Sequence, residues 1–159
     1  MMKISPSGLA ALMEREGVRH DAYPDPATGG PPWTIGVGHT GPEVHPGLRW
    51  SDAQVMDALA RDLARFERAV IEGAGGTALT QNQFDALVSF AFNVGTGAFL
   101  SSTLRRRLAA NDLAGASAQF RVWIIPAMIA GRRAGEWVQF NTPDGRPVPA
   151  RDQFDGRFP

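Results

Sequence analysis

Cysteine is absent from this chain of 159 residues. Disulfides, thiolate nucleophiles and zinc–thiolate sites are therefore excluded, and packing has to stabilise the fold. Long hydrophobic runs are also missing, because the longest, residues 122–130, is about half of the length that spans a bilayer and contains Pro126. The first eleven residues lack the apolar stretch of a signal peptide. We expect no export signal, no transmembrane segment and no stable membrane insertion.

An excess of charge of one sign is lacking as well, since 16 acidic residues balance 16 basic ones. This balance disfavours nucleic acid as a partner. Lysine is nearly absent, and Lys3 is the single example. The three histidines, His20, His39 and His45, have no metal-ligand spacing with one another or with acids. We therefore expect neither a metal nor another cofactor.

The composition that remains is that of an ordinary globular domain, with 43% hydrophobic and 20% charged residues. A chain of this length fits one domain, or two small lobes that share a helix. Apolar residues at three- and four-residue spacing predict several helices, of which the third is expected to be the buried central one. The first helix runs from Ser7 to Gly17, and the second begins at the capping box of Ser51 and Gln54. The third runs from the capping box of Thr80 and Gln83 to a stop near Gly95. Further helices are expected around residues 103–110, 113–123 and 132–140.

Between the first two helices, residues 33–40 alternate bulky with small side chains, which predicts one short strand. Gly36 and Gly38 leave one face of this strand nearly bare. Glycines in a strand often mark a place where a ligand or another backbone comes close. We therefore interpret the strand as the wall of a cleft.

Three residues around this strand suit the hydrolysis of a glycosidic bond, which usually needs a protonated acid and a second carboxylate. Glu16 fits the acid, because an apolar helix face and a helix C-terminus both disfavour its charged form. Asp25 lies in a Pro- and Gly-rich loop, where solvent and backbone amides keep it ionised. The Thr34 hydroxyl can both donate and accept, so it can hold a water. Taken singly, each residue also has an ordinary structural interpretation. Glu16 suits a solvated helix end, Asp25 suits a turn before a proline, and Thr34 is a good strand former.

Longer stretches of the chain resemble phage-type lysozymes of glycoside hydrolase family 24. Residues 16–25, EGVRHDAYPD, and residues 33–40, WTIGVGHT, are similar to the active-site hairpin of that family. The later blocks QNQFDAL at 81–87, FNVGTG at 92–97 and GRRAGE at 131–136 follow in the family's order. The resemblance covers most of residues 7–140.

The resemblance implies an α+β, lysozyme-like fold in which the whole chain, residues 1–159, is a single catalytic domain. A small β-hairpin lobe is expected at residues 18–50, and a mainly helical lobe at residues 1–17 and 51–140. A long helix joins the lobes, with a cleft between them. Residues 141–159, rich in Pro, Gly and Asp, are expected to form an irregular tail.

The resemblance also implies a function. An endolysin of this family hydrolyses the β-1,4 bond between N-acetylmuramic acid and N-acetylglucosamine in peptidoglycan, with inversion, and lyses the host cell. Glu16, Asp25 and Thr34 take the places of the catalytic residues. We expect the substrate-binding residues to be Gly36, Gly38, His39 and Asn93. A His that closes a strand is more often the structural partner of a carboxylate, which is the favoured interpretation of His39, and a helix cap suits Asn93 equally well.

Two departures and two alternatives qualify this expectation. The loop between Asp25 and Thr34 is longer than in the most compact members, and Gly135 interrupts a predicted helix. A lytic transglycosylase cuts the same bond without a second carboxylate, and a cell-wall-binding module would keep the fold without turnover. As an endolysin, the chain is expected to be a monomer that stays in the host cytoplasm until lysis, depends on a holin, and acts on the cell wall in the periplasm.

Overall fold

The protein combines helices with one small antiparallel sheet, which confirms the α+β class. The structure is a computed structural model that describes residues 1–125 and 127–149. It divides into two compact units. The hairpin unit is Ala10–Ala64, and it includes the predicted hairpin lobe; the helical unit is Met1–Leu9 with the described residues from Arg65 onward.

The hairpin unit holds a three-stranded sheet in the order β1-β2-β3. Tyr23 of the first strand pairs with Thr34 of the second, which pairs in turn with Thr40 of the third. Two helices cross the boundary between the units. The elements are α1 (Pro6–Glu16), β1 (Arg19–Tyr23), β2 (Thr34–Gly36), β3 (His39–Thr40) and α2 (Asp52–Ala74).

The prediction of one continuous strand over residues 33–40 is wrong, because the chain reverses within it. Ile35 on β2 faces His39 on β3, so the chain reverses through Val37 and Gly38, directly after Gly36, the last residue of β2. Gly36 and Gly38 have φ values of 66° and 72°, a region that L side chains rarely adopt. The alternating pattern therefore marks a hairpin whose glycines permit the reversal, with Val37 3% exposed at its tip.

The cap of helix α1 is Ser5, two residues before Ser7, the predicted cap. The Ser5 hydroxyl accepts a hydrogen bond from the Gly8 N–H at 3.0 Å, and Pro6 takes the first helical position, where its missing N–H costs nothing. The predicted stop is confirmed, because Gly17 has φ 78° and its N–H donates to the Met13 carbonyl.

The helical unit is organised around α3, in which nearly every residue from Asn82 to Ala91 is buried. Both predicted capping boxes form, that of Ser51 with Gln54 on α2 and that of Thr80 with Gln83 on α3. A short helix directly after Gly95 was not predicted. The elements are α3 (Gln81–Val94), α4 (Thr96–Ser101), α5 (Thr103–Ala109), α6 (Leu113–Gln119), 3-10 turns at Phe120–Val122 and Ala127–Ile129, and α7 (Ala130–Asn141).

An aromatic cluster fixes these helices around α3. The Phe90 ring lies 6.4 Å from Phe99, 5.5 Å from Phe120 and 5.4 Å from Trp123, all in edge-to-face arrangements. Such pairs are stabilising beyond the area that they bury. Three separate segments therefore pack against a single ring of the central helix.

The N-terminal segment is attached to the helical unit by two buried carboxylates. Lys3 pairs with Glu67 on α2 at 2.6 Å, and the Ile4 N–H donates to the same carboxylate at 3.0 Å. On α3, Asp85 is 1% exposed and accepts from the Ser5 backbone at 3.0 Å. The single lysine of the chain thus compensates a buried acid.

We expect the Asp85→Ala variant to lose about 2 kcal/mol of unfolding free energy, because it removes a buried acceptor that serves three donors. These donors are the Ser5 N–H and hydroxyl and the Gln81 side-chain amide at 2.7 Å. Urea unfolding measures the change. Asp144→Ala is the matched control, because Asp144 is exposed and its bonds to the start of α3 are longer, at 3.3 and 3.4 Å. Equal losses in the two variants would contradict the prediction.

The predicted irregular tail is described in part. Asn141 is the last residue of α7, and residues 142–149 form neither helix nor strand. The Asp144 carboxylate accepts from the first backbone amides of α3, so this part is held against that helix. Residues 150–159 lie outside the described part of the chain. None of the helices in the described part of the chain has both the length and the apolar character needed to cross a membrane.

Candidate active site

Glu16 is the last residue of α1 and is half-buried. Leu12, one helical turn earlier, is 1% exposed, whereas Glu14 is exposed on another face. The left-handed backbone at Gly17 then ends the helix and turns the chain toward β1. The structure thus places Glu16 on the buried side of the helix end, as the apolar spacing predicts.

Asp25 organises the loop after β1 with its side chain. Its Oδ1 accepts hydrogen bonds from the Ala27 N–H at 2.7 Å and the Thr28 N–H at 3.1 Å. Its backbone closes the same loop through Gly29 and Gly30. The turn role expected for an Asp before a proline is therefore present. Both side-chain bonds use Oδ1, so Oδ2 remains available to a ligand.

Thr34 opens β2 and is half-buried between its two partner strands. Its partner on β1 is Tyr23, two residues before Asp25. At the other end of the same strand pair, Gly36 faces Arg19, which follows the end of α1. The register of β1 and β2 therefore brings Asp25 and Thr34 to one end of the hairpin.

The two turn glycines have different surroundings. A Cβ on Gly36 would lie 3.4 Å from the Trp50 ring and 3.6 Å from Val55, so this glycine packs against the start of the hairpin unit's second helix. A Cβ on Gly38 would meet nothing within 4 Å, and the residue is exposed. Open space for a ligand exists at Gly38. Substrate binding by either glycine stays a prediction.

Both ring nitrogens of His39 are engaged by carboxylates. Nδ1 lies 2.7 Å from Asp62 on α2 and Nε2 lies 2.9 Å from Glu43 in the following loop, while the Trp50 ring is 5.2 Å away. Burial disfavours the charged ring, but the hydrogen bonds to Asp62 and Glu43, and the charges of both, outweigh it and raise the pKa of His39. These contacts fit the structural-partner interpretation, and the substrate-binding interpretation stays untested.

We expect the stabilisation from His39 to disappear as the pH rises. Because the folded-state pKa lies above the ordinary 6.5, this stabilisation is fully present below pH 6.5 and is lost as the pH rises through the folded value. The hydrogen bond from His39 lowers the pKa of Glu43 below its ordinary 4.5. The stabilisation that Glu43 contributes is therefore present above pH 4.5 and is lost as the pH falls through the lowered pKa. Chemical unfolding of wild type and His39→Gln across this range measures the difference. The control His45→Gln removes an exposed ring whose hydrogen bond goes to the Pro46 carbonyl, with no carboxylate partner among the described residues. A pH-independent difference for His39→Gln would contradict the assignment.

Asn93 lies in the last turn of α3, in the helical unit. Its Oδ1 accepts a hydrogen bond from Nη2 of Arg133 at 2.6 Å. The end of α3 is capped instead by the backbone, through the Gly95 N–H and the Ala91 carbonyl. The helix-cap interpretation of the Asn93 side chain is therefore wrong. The sequence analysis predicts no role for Arg133, although Glu136 lies three residues later in the GRRAGE block, at the spacing of an ion pair on a helix.

A metal was not expected, and the structure offers no obvious place for one where it describes the chain: no group of three or more His, Asp or Glu residues there could hold an ion. In the hairpin unit His39 pairs with Asp62 and Glu43, Asp21 pairs with Arg49, and Asp25 accepts from backbone amides.

The chain matches the family model "Phage lysozyme" over residues 13–135. It is 39% identical over 146 residues to an endolysin of Bacillus phage PZA, covering 89% of this chain and 56% of that protein. It is 38% identical over 132 residues to an endolysin of Acyrthosiphon pisum secondary endosymbiont phage 1, covering 83% of this chain and 86% of that protein. The chain therefore spans about half of the first relative and most of the second.

Solved structures show the same fold. The muramidase domain of SpmX from Asticaccaulis excentricus superposes with a TM-score of 0.81 at 36% identity, covering 90% of this chain and 100% of that one. A lysozyme of phage P22 gives the same TM-score at 35% identity, covering 89% and 100%.

Fold and matches together place the chain in the class of lysozyme-like proteins. The chain belongs to the phage lysozyme family, and its relatives are endolysins. The lysozyme-like architecture that the resemblance implied is confirmed.

Proposed function

We propose that this chain is an endolysin that hydrolyses the β-1,4 bond between N-acetylmuramic acid and N-acetylglucosamine of bacterial peptidoglycan, with inversion. One observation supports it most. Within the hairpin unit, the end of α1, the Asp25 loop and the start of β2 present Glu16, Asp25 and Thr34, the acid, base and water-holding groups that the reaction needs.

Each of the three residues then has one role. Glu16 donates its proton to the oxygen of the leaving sugar. Asp25 accepts a proton from the attacking water through Oδ2, because Oδ1 is occupied by the Ala27 and Thr28 amides. The Thr34 hydroxyl orients that water. The two hydrogen bonds from these backbone amides hold the Asp25 side chain in one orientation. A fixed orientation favours a general base over a nucleophile that has to move toward the sugar.

Product analysis on purified peptidoglycan tests this function against its alternatives. Hydrolysis leaves reducing ends at N-acetylmuramic acid. A lytic transglycosylase would leave anhydro-sugar ends, since the sugar's own hydroxyl attacks and Asp25 has no part. Sedimentation of the protein with peptidoglycan and no soluble product would mean a cell-wall-binding module. Either of the last two results overturns the proposal.

We expect Thr34→Ala to lower the lytic rate by about one to three orders of magnitude, because the water is no longer held in line with the sugar. Thr34→Ser is the matched control, since it keeps the hydroxyl and loses only a methyl group. Turbidity loss of outer-membrane-permeabilised cells measures both rates. Equal losses for Ala and Ser would show that packing, and not the hydroxyl, matters at this position.

The proposal extends to partners and place of action. Each proposed catalytic residue comes from one chain, so a monomer suffices, and peptidoglycan is its substrate. We propose that the protein stays in the host cytoplasm until lysis and that a holin gives it access to the cell wall. Expression in a bacterial host with and without a holin tests this dependence. Lysis at the same time in both cultures would contradict it.

A further inference from the structure

Arg133 on α7 is fully buried, with 0% of its surface exposed. Its Nε donates to the Trp123 carbonyl at 3.0 Å, its Nη1 donates to Glu136, and its Nη2 donates to Oδ1 of Asn93 at 2.6 Å. Its guanidinium lies over the Phe90 ring, 4.6 Å from the centroid. Four different groups of the helical unit thus surround one cation.

Stability alone does not account for this cation. Burying a charge is costly even when it is paired, and apolar side chains of similar volume often serve the same position as well or better. Glu136 is 0% exposed and also accepts a hydrogen bond from the Ser89 hydroxyl at 2.8 Å. Glu136 thus neutralises the charge of Arg133, and Ser89 provides a further hydrogen bond to the buried carboxylate. The bond to Asn93 is a contact with an uncharged side chain, and neutralisation of the cation does not require it.

That bond decides which way the Asn93 amide faces. A guanidinium has donors and no acceptor, so it binds the amide oxygen and never the amide nitrogen. Nδ2 of Asn93, with its two N–H groups, is consequently turned away from Arg133. Among the described residues none accepts a hydrogen bond from this nitrogen, although the side chain is half-buried. The end of α3 therefore presents two oriented donors.

We propose that Arg133 is a positioning residue that fixes Asn93 as a donor, and that Nδ2 of Asn93 donates to the acetamido carbonyl oxygen of an N-acetylated sugar. This specificity role rests on the proposed function, since peptidoglycan supplies the acetamido group. Glu136 and Ser89 act behind Arg133 and hold the guanidinium in place. The site would thereby recognise the N-acetyl group by a hydrogen bond to its carbonyl oxygen.

Asn93→Asp tests the proposal because the carboxylate keeps the size of the amide and still accepts from Arg133, but has no donor. We compare cleavage of N-acetylated peptidoglycan with cleavage of chemically de-N-acetylated peptidoglycan. The acetylated-to-deacetylated ratio of kcat/KM is expected to fall by about tenfold or more in the variant, mainly through KM, since a lost donor faces a carbonyl and the new charge attracts the free amine. Asn111→Asp, the same substitution at an exposed position, should leave the ratio unchanged.

Arg133→Lys separates positioning from packing. Lysine keeps the charge but lacks the fork that reaches three acceptors, so the Asn93 amide can rotate and the ratio should fall about threefold or more. A merely structural role would lower the melting temperature and change both substrates equally. An unchanged ratio in folded Asn93→Asp, or equal losses on both substrates in both variants, overturns the proposal.

A binding measurement keeps this result distinct from failure of the proposed function. In the Glu16→Gln background, calorimetry compares the affinity for an N-acetylglucosamine hexamer with that for its deacetylated form, with and without Asn93→Asp. If wild-type protein does not cleave peptidoglycan, the proposed function fails. The affinity ratio still supports or overturns the role of Asn93 and Arg133.

Discussion

We expect the Glu16→Gln variant to fold normally and to lose at least about a thousandfold in lytic rate, because general acid catalysis contributes on this scale. The amide cannot supply the proton that the leaving sugar needs. The size and shape of the side chain are nearly unchanged, so the half-buried end of α1 keeps its packing. Turbidity loss of permeabilised cells gives the rate, and thermal melting confirms the fold.

Glu14→Gln is the matched control for this loss. Glu14 lies on the same helix two residues earlier, but it is exposed and points away from the buried face. Removal of its charge should leave lysis within about twofold, since surface substitutions of this kind usually change little. If Glu16→Gln lysed cells within tenfold of wild type, Glu16 would not be the acid.

The contrast between these two glutamates also shows what periodicity can predict. The four-residue step from Leu12 is a property of any α-helix, so it predicts which carboxylate faces inward before any tertiary contact is known. The capping boxes at Ser51 and Thr80 are predictable for the same reason, because both partners lie within one turn. In each case the structure agrees with the local pattern.

Local competition limits such predictions. Ser5 and Ser7 are both good helix caps, and the choice of Ser5 depends on Asp85, a residue of α3 that holds the Ser5 backbone. Alternation over residues 33–40 fits one strand or two, and the reversal becomes evident only from the left-handed glycines at 36 and 38. Spacing alone does not distinguish these outcomes.

Contacts over long sequence separations were the least predictable part of the candidate site. His39 was expected to meet a carboxylate, but its partner Asp62 lies 23 positions away on another element. Asn93 and Arg133 are separated by 40 positions. Their pairing depends on how α3 packs against α7. Hydrophobic patterning predicts that both helices contribute to the core, but it does not predict which residue of one helix contacts which residue of the other. The three-residue spacing of Arg133 and Glu136 predicts an ion pair within α7, but it does not predict Asn93 as a further partner.

We expect Asp25→Asn to lower the lytic rate by about two to four orders of magnitude while the loop keeps its conformation. Asparagine retains an Oδ1 that can accept from the Ala27 and Thr28 amides, at 2.7 and 3.1 Å in the wild type. What it loses is the basic oxygen at the second position. The variant therefore separates the turn role of Asp25 from its catalytic role. Asp25→Ala removes both, so it should lose activity and, unlike Asp25→Asn, also melt at a lower temperature.

The stereochemistry of the wild-type product decides how Asp25 acts. A base needs room for water between the two carboxyl groups, roughly 6.5 to 9.5 Å, and gives inversion, whereas a nucleophile stands at about 5 Å and gives retention. The two hydrogen bonds from backbone amides that hold Asp25 favour its role as a base, because a nucleophile would have to break them to reach the sugar. Proton NMR of freshly released muropeptides should therefore show the α-anomer first. A β-anomer as first product, or a glycosyl adduct on Asp25, would show that Asp25 attacks the sugar directly and that Thr34 holds no water.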